Sequence, residues 1–470
     1  MLEFHKKKSK NPSKTEPEKR IKDFQEIYSQ FDKNDSIEQS SRCSQCGIPY
    51  CQIHCPLNNN IPDWLRYIAE GRLEEAYQVS ASTNAFPEVC GRVCPQDRLC
   101  EGNCVVEQAG FGAITIGNLE KYLTEIAWEK GWVKNLSSQN QYKQKVAIIG
   151  SGPAGMAASA YLIQNGYKVD VYEKNDRAGG LMIYGIPNFK LDKKIVERRT
   201  EWLTDSGVVF NLNTEVGKNI SFQDLEKDYD AILIATGVYK ARQLDIDTSS
   251  VNNSIPALDF LIESNRTGLG DSPSKNKYLT AKDKHVVVIG GGDTAMDCVR
   301  TAIRQQAKEV TCLYRRNKEN MPGSAREVLN AEQEGIKFNW LSVPSKIISD
   351  SATATSMTYK VATLGEVDES GRRKPIDTGV EKQIKSDLII QALGFEPEDL
   401  NHNFKTNIEL TSWKTVKVDF KKFQTSNPKI FAAGDIVRGA SLVVWAIHDG
   451  REVAKSIHNF LQSSKIKKAS

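Results

Sequence analysis

Apolar residues recur at three- and four-residue steps in the first quarter of the chain. The segments IPDWLRYIAEGRLEEAYQVSAST (61–83) and ITIGNLEKYLTEIAWEKG (114–131) show this spacing, which is typical of helices with one buried face. The first 20 residues are largely polar, which predicts a mobile tail. A polar stretch, NLSSQNQYKQ (135–144), follows the helical segments. The pattern therefore predicts a helical N-terminal domain over residues 1–140.

Short β-rich runs replace this pattern after the polar stretch. KVAIIG (145–150) precedes a helical segment and then KVDVYEK (168–174). The same order recurs with HVVVIG (285–290) and EVTCLYRR (309–316). Strand–helix–strand units of this kind require parallel sheets. We predict an α/β protein in which the helical domain is followed by two Rossmann-like domains.

Composition and charge exclude several classes of protein. The chain has 470 residues, enough for several domains at roughly 100–200 residues each. Its 63 basic and 59 acidic residues leave a net charge of +4, which gives no electrostatic basis for binding nucleic acid or a membrane surface. No run approaches about 18 apolar residues, and no apolar stretch follows the N-terminal lysines, so we expect neither a membrane span nor a secretory signal. We expect a cytoplasmic protein.

The first glycine turn, GSGPAG, joins a predicted strand to a predicted helix. Glycines there permit close approach of the backbone to a pyrophosphate, and the helix N-terminus supplies unpaired N–H groups. Glu173 ends the second strand, about 20 residues on, where an acid can bind a ribose hydroxyl. Downstream, AAGD places Asp435 after a strand, where it can accept from ribityl or ribose hydroxyls, although an ordinary turn is the alternative. The predicted FAD site consists of Gly150, Gly152, Pro153, Ala154, Gly155, Glu173, Gly180, Leu181, Thr236, Gly237, Gly434 and Asp435.

The second glycine turn, GGGDTA, also lies between a strand and a helix, but no acid follows its second strand. Arg315 and Arg316 stand at that strand's end instead. An acid would repel a 2′-phosphate, whereas arginines can pair with it; a solvated strand end is the alternative. The predicted NADPH site consists of Gly290, Gly292, Asp293, Thr294, Ala295, Arg315 and Arg316.

Eight of the ten cysteines lie between Cys43 and Cys104. A reducing compartment disfavours disulfides, so this clustering indicates a metal-binding site. Zinc ribbons space their cysteine pairs differently, whereas bacterial ferredoxins place three close cysteines on one cluster and a fourth, followed by proline, on the other. Two cysteine–proline pairs occur here, which predicts two [4Fe-4S] clusters, with zinc as the alternative. The predicted ligands are Cys43, Cys46, Cys51 and Cys104 for the first cluster and Cys55, Cys94 and Cys100 for the second.

The order of these motifs resembles the small-subunit family of bacterial NADPH-dependent glutamate synthases. The segments RCSQCGIPYCQIHCPLNNNIPDW, EVCGRVCPQDRLCEGNC, GSGPAG, GGGDTAMD and AAGD carry the resemblance, and the N-terminal part of dihydropyrimidine dehydrogenase is similar. The resemblance implies an NADPH domain, which we place at 266–391, inserted in an FAD domain at 141–265 and 392–470. It also implies a non-cysteine last ligand for the second cluster. The matching position is Glu120, with Cys90 as the competing candidate.

The family also implies a function. Hydride from NADPH would reach FAD, and single electrons would pass through the clusters to a large (alpha) subunit that forms glutamate from glutamine and 2-oxoglutarate. No catalytic side chain is then expected, because bound cofactors carry the chemistry. No cysteine precedes Cys43, so glutaminase chemistry by an N-terminal cysteine is not expected of this chain. The alternatives are a free-standing NADPH:acceptor oxidoreductase feeding a pyrimidine dehydrogenase or a ferredoxin, and a non-enzymatic scaffold that holds the clusters.

Overall fold

The N-terminal part of the chain folds as short helices around an apolar core. The computed structural model describes residues 1–248, 250–367, 371 and 373–469, with side chains up to residue 463. Trp64 and Leu65 of one helix pack with Leu119 and Leu123 of another, as the helical period of both segments predicts. The helices are α1 (Pro17–Arg20), α2 (Lys33–Ser41), α3 (Tyr50–Ile53), α4 (Ile61–Ala69), α5 (Leu73–Ala81), α6 (Pro87–Val93), α7 (Val105–Gln108) and α8 (Ile116–Glu129).

Strands and helices alternate in the rest of the chain. None of the helices in the described residues is long and apolar enough to cross a membrane. The elements are, in chain order, β1 (Lys145–Ile149), α9 (Pro153–Gln164), β2 (Lys168–Tyr172), α10 (Leu181–Tyr184), α11 (Lys193–Asp205), β3 (Val209–Asn211), α12 (Phe222–Asp228), β4 (Ala231–Ile234), β5 (Lys240–Ala241), β6 (Ser254–Pro256), α13 (Ala257–Gly268), β7 (His285–Ile289), α14 (Asp293–Arg304), β8 (Glu309–Leu313), α15 (Ala325–Gln333), β9 (Lys337–Asn339), β10 (Ser342–Asp350), β11 (Thr353–Val367), β12 (Arg373–Lys385), β13 (Leu388–Gln391), β14 (Phe395–Glu396), α16 (Leu400–Phe404), β15 (Ile430–Ala432), α17 (Asp435–Arg438) and α18 (Val443–Ala469).

Two five-stranded parallel sheets confirm the predicted pair of Rossmann-like domains. The strand order is β15–β4–β1–β2–β3 in the first sheet and β6–β13–β7–β8–β9 in the second. The central strands β1 and β7 are buried almost throughout, as expected for parallel sheets covered on both faces. Each of them ends directly before a glycine turn, so both turns lie at the carboxyl edge of a sheet, where such folds bind ligands.

The second sheet is inserted into the first, as predicted. The chain leaves the first sheet after β4 and returns to it at β15, and the antiparallel pair β5–β14 joins the outgoing and returning segments. Strand β6 pairs with β13, so the residues from Ser254 onward already belong to the second sheet. The boundary predicted at residue 265 therefore lies too far along the chain. The three residues of β6 are too few to show a strand period, which explains the error.

A third sheet, which the sequence pattern did not predict, covers part of the second domain. It is antiparallel, in the order β10–β11–β12. Met357 and Tyr359 of β11 pack against Val287 and Ile289 of β7, so the sheet adds a second apolar layer to the inserted domain. Most residues of β12 are exposed, which removes the apolar alternation by which a strand is recognised in a sequence.

The first 20 residues are packed against the protein, so the prediction of a mobile tail is wrong. Ser9 Oγ donates to the carbonyl oxygen of Ala113 at 2.7 Å, within the helical domain. Arg20 is buried, and its Nε lies 2.8 Å from Oε1 of Glu334 in the inserted domain. A polar segment can be ordered by buried ion pairs as well as by apolar contacts, and its sequence pattern does not distinguish the two cases.

A buried ion pair joins the helical domain to the first sheet domain. Arg199 of α11 donates from Nε and Nη2 to the two carboxylate oxygens of Glu88 in α6, at 2.6 and 2.8 Å. Both side chains are almost fully buried. Burial alone would raise the pKa of Glu88, but the Arg199 guanidinium holds it below its usual range. Glu88 therefore stays charged inside the protein because Arg199 faces it, with Nη2 of Arg198 3.6 Å from the same carboxylate.

We expect Arg199→Met to destabilise the protein strongly. The variant removes both short ionic hydrogen bonds to a buried carboxylate and leaves Arg198, 3.6 Å away, as its nearest described cation, which costs up to about 3–5 kcal/mol. The midpoint of the first thermal unfolding transition measures the effect. Arg72→Met is the matched control, because the ion pairs of Arg72 with Glu70 and Glu75 are exposed and are worth about 0–1 kcal/mol. Equal effects of the two variants would contradict this account of the interface.

Candidate functional site

The first glycine turn leaves room for a ligand at the start of α9. Gly150 adopts φ 103°, and a Cβ there would lie 2.5 Å from the carbonyl oxygen of Ala235. Gly152, the residue before α9, has no atom within 4 Å of where its Cβ would be. None of the described side chains caps this helix, so its first N–H groups face the open space. A pyrophosphate fits such a position.

Glu173 is fixed at the carboxyl end of β2 by its neighbours. One carboxylate oxygen accepts from the Ser151 hydroxyl at 2.6 Å and from the Ser151 N–H at 3.2 Å. The other accepts from the backbone and side-chain nitrogens of Asn175, both at 2.8 Å. Sequence reasoning missed Ser151 and Asn175, although both lie beside predicted residues. These bonds hold the carboxylate against the first glycine turn.

Asp435 begins α17 at the carboxyl end of β15. Its Oδ1 accepts from the Ser441 hydroxyl at 2.6 Å and from the Ser441 N–H at 3.1 Å. Burial raises the pKa of Asp435 to about 6, and the two bonds from Ser441 oppose that rise. The acid is thereby oriented toward the same space as the first glycine turn.

One cleft of about 1630 Å³, including space open to solvent, brings most of the predicted FAD residues together. Gly155, Gly180 and Gly434 do not line it; a Cβ on Gly155 would lie 2.1 Å from the oxygen of Gly150, so Gly155 serves the packing of α9. Tyr239, after β4, also lines the cleft and was not predicted. The predicted residues that line it are Gly150, Gly152, Pro153, Ala154, Glu173, Leu181, Thr236, Gly237 and Asp435.

The same cleft reaches the start of α14 in the inserted domain. Asp293 and Thr294, predicted for the second dinucleotide, line it together with the FAD residues. Gly292 precedes this helix and, like Gly152, has no atom within 4 Å of where its Cβ would be. Ala295 is fully buried and packs in the core of the inserted domain. The starts of α9 and α14 therefore border one shared space.

The two arginines predicted for the 2′-phosphate differ in their surroundings. Arg315 is exposed at the end of β8. Arg316 is buried, and its Nε donates to the carbonyl oxygen of Arg373 at 2.7 Å. Both lie outside the cleft lining, at the edge of the second sheet that carries the glycine turn Gly290–Gly292. Arg315 is thus the more accessible of the two cations.

Eight cysteines of the helical domain surround two separate cavities. Among the described residues, no three His, Cys, Asp or Glu side chains converge closely enough to hold a single metal ion. Thiolates around a cavity fit an iron–sulfur cluster, which is held by four separate thiolates, better than one tetrahedral zinc. The first cavity is lined by Cys43, Cys46, Cys51 and Cys104, and the second by Cys55, Cys90, Cys94, Cys100 and Glu120.

Glu120 and Cys90 both face the second cavity. Burial raises the pKa of Glu120 to about 8, and the Asn84 amide donates a hydrogen bond to its Oε1 at 3.2 Å. No described cation pairs with this carboxylate, and a buried acid without a cation is costly. Cys90 is hydrogen-bonded to Cys94, a contact that together with burial raises the pKa of Cys94. A positively charged iron in the cavity would offset the cost of burying Glu120.

A single layer of residues separates the cleft from the second cysteine cavity. Val93 lines the cleft, while the next residue, Cys94, lines the cavity. Likewise, Val443 at the start of α18 lines the cleft, and the next residue, Val444, lines the second cavity. Ile116 lines both cysteine cavities. The cleft therefore adjoins the second cavity, and the second cavity adjoins the first.

Comparison with known proteins covers both parts of the chain. Residues 20–132 match the family described as dihydropyrimidine dehydrogenase domain II, 4Fe-4S cluster. Residues 144–450 match the pyridine nucleotide-disulphide oxidoreductase family. Among solved structures, Mycobacterium tuberculosis FprA in complex with NADPH is similar with a TM-score of 0.58 and 19% identity, over 70% of this chain and 86% of that one. That likeness shows the fold of the two sheet domains.

Curated relatives extend over nearly the whole length. The glutamate synthase (NADPH) small chain of Azospirillum brasilense is 51% identical over 98% of this chain and 97% of its own. That of Escherichia coli (strain K12) is 46% identical over 94% of each chain. The matched length spans the cysteine cavities and both glycine turns. The chain belongs to the family of NADPH-dependent glutamate synthase small chains.

Proposed function

We propose that this chain is the NADPH-oxidising, electron-transferring small subunit of a cytoplasmic glutamate synthase, and that a large (alpha) subunit forms L-glutamate from L-glutamine and 2-oxoglutarate. When bound, NADPH supplies a hydride, FAD passes the two electrons on singly, and the clusters carry one electron at a time. The observation that carries the proposal is the shared cleft, which the starts of α9 and α14 both border and which adjoins the second cysteine cavity.

The chain's own residues bind and orient the two dinucleotides. The N-termini of α9 and α14 would each hold a pyrophosphate, because no described side chain caps either helix and their dipoles favour anions. Glu173 would bind the adenosine ribose of FAD, and Asp435 a ribityl hydroxyl. Since the two helix N-termini border one cleft, the reacting rings would meet between the domains.

The chain also places apolar side chains along the short path between the cleft and the second cysteine cavity. Val93 and Val443 present apolar side chains to the cleft directly in front of the second cysteine cavity. The Arg451 guanidinium of α18 donates to the carbonyl oxygens of Leu57 and Thr83 at 3.0 and 2.9 Å, which holds that helix against the helical domain. The second cluster would therefore lie between the flavin and the first cluster.

Addition of the large subunit tests the proposal. We expect the isolated chain to oxidise NADPH with an artificial electron acceptor, because both dinucleotide sites lie within it. We expect glutamate from glutamine and 2-oxoglutarate only after the large subunit is added. Mass spectrometry of the products, with ferricyanide reduction as the parallel assay, measures both. NADPH oxidation without glutamate in the reconstituted mixture would favour the free-standing oxidoreductase instead.

Coenzyme choice is expected to depend on Arg315. Arg315→Ala removes a cation that would face the 2′-phosphate, and a hydrogen bond to a charged group is worth roughly 1.5–3 kcal/mol. We expect the KM for NADPH to rise by about tenfold or more while the KM for NADH stays unchanged. Lys337→Ala is the matched control, because Lys337 is an exposed cation of the neighbouring strand β9 that pairs with Glu309 at the amino end of β8, away from the carboxyl end where Arg315 lies. Equal losses with both coenzymes would contradict the assignment.

Glu120 is proposed as the last ligand of the second cluster. Anaerobically purified protein with two complete clusters carries about eight irons per chain. We expect Glu120→Ala to lower this to about four, because the second cluster loses a ligand, and Cys90→Ala to leave it unchanged. Iron analysis with flavin content as the internal reference measures the difference. The opposite result would assign the ligand to Cys90.

A further inference from the structure

A segment of the helical domain lies against the start of α14. Residues 95–99 connect Cys94 to Cys100, and the side chains of Asp97 and Arg98 point from this connection toward the inserted domain. Arg98 Nη1 donates to the carbonyl oxygen of Pro322 at 2.7 Å. Its Nη2 donates to Oδ2 of Asp293, the first residue of α14, at 3.4 Å.

Asp293 creates an electrostatic problem for an anionic ligand. It lines the cleft at the helix N-terminus that would receive the coenzyme pyrophosphate, and a carboxylate there repels a phosphate. Its Oδ1 accepts from the N–H of Ser324 at 2.9 Å, so the side chain is held in place. Arg98 is the described cation that pairs with it. The Arg98 side chain is 45% exposed, so it remains accessible to a ligand.

The loop between β8 and α15 closes over the second glycine turn. The N–H of Gly323 donates to the carbonyl oxygen of Gly291 at 2.9 Å. Asp97 accepts from the Ser324 hydroxyl at 3.3 Å and from the Ala325 N–H at 3.2 Å. The helical domain therefore contacts this loop through both Asp97 and Arg98.

We propose that Arg98, from the iron–sulfur domain, is part of the coenzyme site: it offsets the charge of Asp293 and pairs with the pyrophosphate of the nicotinamide coenzyme. This inference rests on the proposed function, which assigns the coenzyme to the second glycine turn. The pyrophosphate is common to NADPH and NADH, so Arg98 contributes to affinity for both. Arg315, in contrast, would contribute only where a 2′-phosphate is present.

Titration of the holoprotein with NADP⁺ and with NAD⁺ tests the inference without turnover. We expect Arg98→Gln to raise the Kd of both by a similar factor of about ten, with iron and flavin contents unchanged. Isothermal calorimetry measures the Kd values. Arg72→Gln is the matched control: Arg72 is an exposed arginine of the same domain that pairs with Glu70 and Glu75 of that domain, and its replacement should change neither Kd.

A second variant separates electrostatics from a structural role. In the Arg98→Gln background, Asp293→Asn removes the repulsive charge and keeps an acceptor for the Ser324 N–H, so we expect the part of the lost affinity that comes from that charge to return, while the part that comes from direct pairing with the pyrophosphate stays lost. Loss of folding alone would not be reversed by this change. An unchanged Kd in Arg98→Gln, or no recovery in the double variant, would overturn the inference. The proposed function is tested separately, by whether the unaltered chain oxidises NADPH.

Discussion

The buried pair of Glu88 and Arg199 determines where the helical domain sits relative to the first sheet. Helix α6 carries Glu88 and ends at Val93, directly before Cys94. Because the pair fixes α6, it also fixes the wall between the cleft and the second cysteine cavity. Electron transfer depends on that separation being small and constant. A rigid, fully paired ionic contact serves this requirement better than a mobile apolar one.

A second group of buried charges links the inserted domain to the N-terminal segment. Arg20, Arg300 and Arg304 surround the carboxylate of Glu334, at distances of 2.7–2.8 Å. Burial alone would raise the pKa of Glu334, but hydrogen bonds from Arg304 and Arg300 hold it at about 2. Its carboxylate therefore stays charged at any physiological pH, and the segment that ends in Arg20 stays bound. The inserted domain is thus held from two sides, by this segment and by the contacts of residues 97 and 98.

Sequence reasoning was sufficient where a motif is local. Glycine turns after strands predicted both sheet domains, and the cysteine spacing predicted two groups of residues that do lie around two separate cavities. It was insufficient where a partner comes from far along the chain. No residue near position 20 indicates that Arg20 pairs with Glu334. The sequence of this segment therefore resembled that of a mobile tail. Arg98 lies in a cysteine-rich segment, where nothing nearby indicates that its partner is Asp293. The different surroundings of Arg315 and Arg316 likewise depend on Arg373, which belongs to a sheet with too little apolar alternation to be predicted.

The insertion has a consequence for how the protein is made. The inserted domain is continuous in sequence from β6 to β13. All of its residues therefore emerge from the ribosome before synthesis of the chain is complete. The first sheet, in contrast, lacks its edge strand β15 until residue 432 has been synthesised. Asp435 and α18 emerge later still, although they form one side of the cleft. Domains fold as units as they emerge, so the inserted domain is expected to fold while its host is incomplete. Flavin uptake is then a late, post-translational event, and a chain truncated near its C-terminus would keep a folded coenzyme domain without a flavin site.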